Sequence, residues 1–314
     1  MFVSASFVVG IIALIYSSKY LLSSLAGITK RLKLPIVIVG VLLLALSTSL
    51  AELTVGIHAA MNGTPELSLG DVLGTNIVNL TLIMGLTIVF NRGVKVTKKQ
   101  LPGQLKLTSL LAMATLLIVM LDGTLSRTDG LILLSVFVLH VVSTYNGDRI
   151  KQHIEHKPRT TTKQQVPVRL FAVFITSAIM LILSGFAVVT SAVSIAQFFG
   201  VSEFIIGLLI LAIGTSLPEM AVAVRSSHQK NPVLSIENLI GATTINVTLV
   251  IGIVATISPF SINGDSIWSL SAALVVLAMI YIWHIRYGRL SFLFGLGLFV
   301  IYVGFLLAQV ISSL

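Results

Sequence analysis

The sequence predicts an all-α polytopic membrane protein with ten transmembrane helices, arranged as two inverted-topology repeats of five helices. Three observations predict it: an apolar composition, an alternation of basic loops and an internal repeat. Of the 314 residues, 56% are hydrophobic and 10% are charged, and the mean hydropathy is +1.03. Soluble domains are typically about 45–50% apolar and about 25% charged, so this composition excludes a soluble globular enzyme.

Long apolar segments separated by short polar breaks predict the spans, since one crossing needs about 20 residues. The predicted spans cover residues 2–27, 34–61, 67–90, 105–121, 128–147, 167–197, 203–228, 233–258, 266–284 and 289–312. The one long polar segment lies between the fifth and sixth spans. It divides the chain into a first half at 1–147, a basic linker at 148–166 and a second half at 167–314.

Basic residues alternate between the predicted loops. The loops after the odd-numbered spans, together with the span ends that adjoin them, contain 18 Lys and Arg residues, whereas the opposite loops contain only Arg127. Because cytoplasmic loops have the excess of basic residues, both termini are predicted outside and the 148–166 loop in the cytoplasm. The net charge of +9 therefore indicates topology rather than a nucleic-acid partner. The N-terminus is predicted to be the first span rather than a cleavable signal, which fits a prokaryotic plasma membrane.

Residues 40–86 align without a gap with residues 207–253, at a constant offset of 167. Seventeen of the 47 positions are identical. The identical polar pairs include Thr48/Thr215, Ser49/Ser216, Glu52/Glu219, Ser68/Ser235, Asn79/Asn246 and Thr81/Thr248. Five spans, an odd number, separate the two copies, so they cross the bilayer in opposite directions. Such inverted repeats are typical of secondary transporters, whose substrate site lies near the midplane.

Glu52 and Glu219 occupy equivalent positions in the middle of predicted spans. A charge at a helix centre costs at least about 2.5 to 3.5 kcal/mol, and intramembrane ionisable residues are functional by default. A structural carboxyl group, protonated or hydrogen bonded, is the less favoured alternative. We therefore expect both glutamates to bind the transported species.

Oxygen-bearing residues share a helical face with each glutamate. They are Thr48, Ser49 and the Ala45 carbonyl in the first copy, and Thr215, Ser216 and the Ala212 carbonyl in the second. Pro218 removes a backbone donor directly before Glu219, and Gly214 precedes it. The second copy is therefore predicted to have a broken helix whose freed carbonyls point into the site.

The neighbouring spans contribute a second row of polar residues at helical spacing. The row comprises Asp71, Thr75 and Asn79 in one copy, and Asn238, Ala242 and Asn246 in the other. Asp71 is a candidate for an outer vestibule, although an acidic residue near a helix N-terminus also simply favours the helix dipole. Hydroxyl, amide, carbonyl and carboxylate oxygens without thiols predict a site for Ca²⁺, Mg²⁺ or Na⁺.

The motif pair STSLAE…GTNIVN and GTSLPE…GATTIN resembles the two α-repeats of the sodium/calcium exchangers, in the calcium:cation antiporter superfamily. The resemblance implies ten spans in two inverted halves and Ca²⁺ efflux driven by Na⁺ entry, without a cofactor. It implies Glu52 and Glu219 as the main Ca²⁺ ligands, together with the Ala45 and Ala212 carbonyls. It also implies that Thr48, Ser49, Thr75, Asn79, Thr215, Ser216 and Asn246 complete the Ca²⁺ and Na⁺ shells.

Three departures from the family pattern leave the coupling ion open. Ala242 stands where the family usually has Ser, Asn246 stands where many members have Asp, and Ser47 and Ala51 alter the first motif. An H⁺-coupled exchanger for Ca²⁺ or another divalent cation is therefore the alternative. A passive cation channel and an intramembrane enzyme are less favoured, since the inverted repeat favours a carrier and no Ser/His or His/Asp arrangement lies mid-span.

Overall fold

The computed structural model of the protein describes residues 2–32, 36–96, 103–154, 167–228, 230–262 and 264–312. Within these ranges it describes all side chains except those of residues 2–4, 18, 22, 25–26, 29–32, 36–48, 103–105, 144–154, 225, 265 and 310–312. The predicted loop residues 155–166 lie outside the described part of the chain.

The described residues form ten helices when helical stretches that follow one another directly are joined. They are α1 (Phe2–Leu32), α2 (Ile36–Met61), α3 (Pro65–Phe90), α4 (Gly103–Met120), α5 (Arg127–Ile154), α6 (Val168–Phe199), α7 (Glu203–His228), α8 (Pro232–Ile257), α9 (Gly264–Tyr287) and α10 (Phe292–Ser312). Each helix corresponds to one predicted span. The largest difference is α5, which continues past residue 147 into the segment that was predicted to be linker.

Six helical segments are long and apolar enough to cross a membrane, as counted over the described residues. They are Pro65–Phe90, Val168–Phe199, Glu203–His228, Pro232–Ile257, Ser266–Tyr287 and Phe292–Gln309. Two shorter apolar segments, Ala5–Leu21 and Lys106–Met120, lie in α1 and α4. The protein is therefore an integral membrane protein of mainly helical structure.

Helices α3 and α8 form the centre of the molecule. Their apolar windows are 83% and 72% buried, against 33% for those of α6 and α10. Each contains a π-helical turn, at Val78–Ile83 in α3 and at Asn246–Val250 in α8. Such turns widen a helix locally and are frequent at functional sites. The two polar rows predicted from the sequence therefore lie on the two most buried of the six long apolar segments.

Four two-residue strands, which the sequence did not predict, connect the two halves. They are β1 (Val94–Lys95), β2 (Thr124–Leu125), β3 (Phe260–Ser261) and β4 (Arg289–Leu290). β1 pairs antiparallel with β4, and β2 pairs antiparallel with β3. Each of these two ribbons joins a loop of the first half to a loop of the second half.

Glycine contacts between helices also occur in corresponding places. A Cβ added at Gly85 of α3 would lie 2.8 Å from the carbonyl oxygen of Gly295 in α10. A Cβ added at Gly130 of α5 would lie 2.7 Å from the carbonyl oxygen of Gly252 in α8. Gly252 is the repeat equivalent of Gly85, at the offset of 167. The same close approach of backbones therefore stabilises both central helices.

Candidate functional site

Glu52 of α2 and Glu219 of α7 are both completely buried. Asp71 of α3 is completely buried as well. None of the lysines and arginines whose side chains the structure describes is buried. A buried charge needs a compensating charge nearby, so a bound cation would balance these buried carboxylates.

The helix that positions Glu219 is interrupted between Ala212–Thr215 and Leu217–His228, where the sequence predicted a break. It contains a π-helical turn at Gly207–Leu211, and Ser216 interrupts its α-helical geometry with φ −78° and ψ −1°. The N–H of Ser216 still donates to the Ala212 carbonyl at 3.1 Å. The prediction that the Ala212 carbonyl is freed was therefore wrong. Pro218 has no backbone N–H, so only the Gly214 carbonyl loses the helical hydrogen bond that it would otherwise accept.

The Ala212 carbonyl oxygen lies within a cluster of hydroxyl groups. The Ser216 hydroxyl donates to it at 2.7 Å. The hydroxyls of Thr215 and Thr75 lie 3.4 and 3.5 Å from it. The predicted backbone ligand of the second copy is thus surrounded by three of the predicted side-chain ligands, one of them from the first half.

The side chain of Thr215 joins the two halves of the protein. Its hydroxyl donates to Oδ1 of Asp71 at 2.8 Å and lies 3.1 Å from the hydroxyl of Thr75. Asp71 is completely buried, so it lies against the predicted ligands rather than at an exposed helix end. The other carboxylate oxygen of Asp71, Oδ2, has no hydrogen-bond partner among the described residues.

Three further predicted ligands are buried without hydrogen bonds to other described residues. They are Ser49, Asn79 and Asn246. Asn79 lies in the π-helical turn of α3, and Asn246 begins that of α8. Because an unpaired buried polar group costs about 1–3 kcal/mol, side chains of this kind are suited to bind an ion.

Ala45 and Thr48 lie in α2, but their side chains fall outside the described part of the structure. The described stretch of α2 is continuous from Ile36 to Met61. The first copy therefore lacks the interruption seen in α7, and Ala51 stands where the second copy has Pro218.

Asn76 is a buried polar residue that the sequence reasoning missed. Both atoms of its side-chain amide are buried and lack hydrogen-bond partners among the residues the structure describes. It follows Thr75 directly and so lies outside the row formed by Asp71, Thr75 and Asn79. An amide side chain in the middle of an apolar span itself indicates a candidate ligand, and this holds for Asn76 as well as for Asn79.

No group of three or more His, Cys, Asp or Glu side chains within the described ranges is arranged to hold a metal ion. A cation at this site would therefore also be bound by hydroxyl, amide and carbonyl oxygens. That ligand set is typical of hard cations such as Ca²⁺ and Na⁺.

Comparison with known proteins agrees with this chemistry. The family model described as sodium/calcium exchanger protein matches residues 2–146 and 169–311. The inner membrane protein YrbG of Escherichia coli is 32% identical over 271 residues, which are 83% of this chain and 81% of YrbG.

Two solved structures share the fold. The sodium-calcium exchanger NCX_Mj superposes with a TM-score of 0.67 at 21% identity, covering 100% of this chain and 99% of the other. The H⁺/Ca²⁺ exchanger CAX superposes with a TM-score of 0.77 at 16% identity, covering 99% of this chain and 84% of the other.

Proposed function

Because the chain belongs to the sodium/calcium exchanger protein family, whose members are transporters rather than enzymes, we propose that it exchanges Ca²⁺ for Na⁺ by alternating access. The central site in this proposal is formed by Glu52 and Glu219. The observation that supports it best is that two equivalent glutamates, one from each half, are both completely buried. None of the Lys and Arg side chains that the structure describes is buried with them.

The proposed Ca²⁺ ligands start from the two carboxylates, whose combined charge balances one Ca²⁺. Backbone and side-chain oxygens of both repeats complete the Ca²⁺ and Na⁺ shells. They are the carbonyl oxygens of Ala45 and Ala212 and the side chains of Thr48, Ser49, Thr75, Asn79, Thr215, Ser216 and Asn246. Ca²⁺ and Na⁺ compete for the same oxygens, so bound Na⁺ displaces Ca²⁺. Exchange follows when the loaded site opens alternately to the two sides.

We also propose that the ten helices all cross the membrane, as two five-helix repeats of opposite orientation. Two observations support this. Ribbon β1–β4 joins loops that are both rich in Lys and Arg, and ribbon β2–β3 joins loops predicted on the opposite side. The equivalent glycines Gly85 and Gly252 make equivalent contacts. The termini then lie outside, and the segment 148–166 lies in the cytoplasm of a prokaryotic cell.

An H⁺-coupled Ca²⁺ exchanger is the alternative, since a solved structure with the same fold, CAX, is named as an H⁺/Ca²⁺ exchanger. In this alternative the same two glutamates take up protons when Ca²⁺ leaves.

The deciding experiment measures ⁴⁵Ca²⁺ uptake into proteoliposomes under a Na⁺ gradient, a pH gradient or neither. We expect an outward Na⁺ gradient to drive ⁴⁵Ca²⁺ uptake. This uptake should persist when a protonophore removes the pH gradient. Uptake that follows the pH gradient and ignores Na⁺ would contradict Na⁺ coupling. Flux that needs neither counter-ion would indicate a channel. Liposomes containing Glu52→Gln protein measure the background leak.

A further inference from the structure

Resting on the proposed topology, we infer that ribbon β1–β4 binds the phosphate of an anionic phospholipid in the cytoplasmic leaflet. The phosphate lies between the side chains of Lys95, from the first half, and Arg289, from the second. These two residues, together with Arg92 and Arg286 beside them, are called the basic ribbon below. The bound lipid links the two halves of the protein at their cytoplasmic ends.

The strand pairing places two cations side by side. Val94 pairs with Leu290 and Lys95 pairs with Arg289, in antiparallel register. Val94 and Leu290 are buried, whereas Lys95 and Arg289 are exposed. Residues directly opposite each other in an antiparallel pair share a face, with Cβ atoms about 5 Å apart. The two positive side chains therefore leave the same face of the ribbon next to each other.

Backbone contacts hold the two strands together. The N–H of Val96 donates to the carbonyl of Gly288 at 3.2 Å, which extends the pairing by one residue. Gly93 has a φ of +98°, and a Cβ there would lie 3.2 Å from the Leu290 carbonyl oxygen. Val94, Val96 and Leu290 all belong to the hydrophobic core. The spacing of the two cations is thus set by the backbone and the core beneath them.

No acidic residue balances this pair. Like charges directly opposite each other destabilise a strand pair. The sequence contains no Asp or Glu at 72–121 or at 266–314, the two segments that include the strands. Neither Lys95 nor Arg289 forms an ion pair with a side chain that the structure describes. An anion between them removes the repulsion, and a phosphate group suits Lys and Arg as donors.

Each member of the pair has a second cation three residues earlier in the sequence. Arg92 is exposed and has a φ of +53°, a left-handed conformation that is uncommon for residues other than glycine. Arg286 is also exposed, and its guanidinium carbon lies 5.7 Å from the centre of the Tyr287 ring. Four positive charges therefore lie on or next to a ribbon of four residues.

The surroundings of the ribbon favour a phospholipid over a dissolved phosphate. The Trp283 ring lies 4.8 Å from that of Phe294 and 4.7 Å from that of Tyr287, between centroids. Trp and Tyr are enriched at the level of the lipid headgroups. Phe90 and Leu293, which lie close to the strands in sequence, are 76% and 75% exposed. A phospholipid uses both surfaces, because its acyl chains cover such apolar residues while its phosphate meets the cations.

The test titrates the purified protein in neutral detergent with phosphatidylglycerol and follows the melting temperature. In wild type we expect a rise, because a ligand of the folded state stabilises it. Zwitterionic phosphatidylcholine should give a much smaller one. One cation near an anionic lipid contributes about a fivefold gain in binding. Lys95→Gln and Arg289→Gln should each raise the half-saturating phosphatidylglycerol concentration about fivefold, and the double variant about 30-fold.

Two further variants separate lipid binding from stability and from total charge. Lys95→Glu places opposite charges across the ribbon, so without lipid it should melt no lower than wild type. It should nevertheless lose the rise with phosphatidylglycerol. Arg169→Gln is the matched control, since Arg169 is an exposed cation on the same predicted side, at the start of α6. Its half-saturating concentration should stay within about twofold of wild type.

Several results would overturn the inference. They are a wild type that phosphatidylglycerol does not stabilise, a double variant with wild-type lipid dependence, and an equal loss in Arg169→Gln. A rise of the same size with glycerol phosphate would also do so, since the ligand would then be a soluble anion. None of these measurements involves transport, so each outcome leaves the proposed exchange of Ca²⁺ for Na⁺ to be decided by the flux assay.

Discussion

The hydroxyl oxygens of Thr75 and Thr215 lie 3.1 Å apart, although the two residues belong to different halves of the chain. Thr75 is on α3 and Thr215 is next to the interruption of α7. Gly70 and Gly207 permit this approach, since a Cβ on Gly70 would overlap the carbonyl oxygen of Phe204 and one on Gly207 that of Leu67. The close crossing of these two helices brings residues of the two repeats together in one cluster of candidate cation ligands.

Replacing Thr75 tests the importance of this contact. Thr75→Val keeps the shape of the side chain but removes an oxygen from a buried cluster. We expect the rate of Na⁺-driven ⁴⁵Ca²⁺ exchange to fall by about tenfold or more, since a buried unpaired group costs about 1–3 kcal/mol. Thr75→Ser keeps the oxygen and should retain most of the activity. Equal activity of the Val and Ser variants would show that the Thr75 hydroxyl contributes only to packing and not to ion transport.

Neutralising the glutamates should abolish Ca²⁺ binding. Glu52→Gln and Glu219→Gln each remove one of the two charges that balance Ca²⁺, and we expect at least about a 100-fold loss of exchange. Without Ca²⁺, the melting temperature of each variant in detergent should be no lower than that of wild type, because a buried charge destabilises the folded protein.

Binding can be followed separately from transport in these two variants. In wild type, added Ca²⁺ should raise the melting temperature, because it binds only the folded protein. Both variants should lose this rise. A Gln variant that is still stabilised by Ca²⁺ as strongly as wild type would place the Ca²⁺ site elsewhere.

The repeat made the glutamates and their hydroxyl neighbours predictable, because residues four apart share a helical face whatever the tertiary structure. The position of Asp71 beside Thr215 could not be predicted in this way. From the sequence it is an acidic residue near the start of α3, and its contact with Thr215 depends on how closely α3 and α7 cross.

The ribbons and the π-helical turns were not predictable for a related reason. Each strand has only two residues, too few for a periodic pattern, and it forms because a loop of the other half lies beside it. Each π-helical turn packs against a helix of the other half. Local sequence spacing therefore identified which residues bear oxygens, while long-range contacts determine how those oxygens converge.

The glycine contact between α3 and α10 predicts a difference between two neighbouring substitutions. In Gly295→Ala the new Cβ would lie 2.8 Å from the Cβ and Cγ2 atoms of Ile88 and 3.0 Å from the Gly85 carbonyl oxygen. Overpacking of this kind costs about 1–3 kcal/mol, so the melting temperature should fall. Gly297→Ala is the matched control on the same helix, since its Cβ would meet no described atom within 4 Å. A similar melting temperature for both variants would contradict this packing.

The proposed inverted topology predicts which side of the membrane each ribbon faces. The chain contains no cysteine, so single cysteines can be placed in it without a background. Lys95 and Arg289 are paired in ribbon β1–β4, Thr124 and Ser261 are paired in ribbon β2–β3, and all four side chains are exposed. A membrane-impermeant maleimide applied to intact cells should label Thr124→Cys and Ser261→Cys. It should label Lys95→Cys and Arg289→Cys only after the membrane is permeabilised, because basic loops face the cytoplasm. Labelling of Thr124→Cys and Lys95→Cys from the same side would mean that α4 does not cross the membrane, and the two halves would then not have opposite orientations.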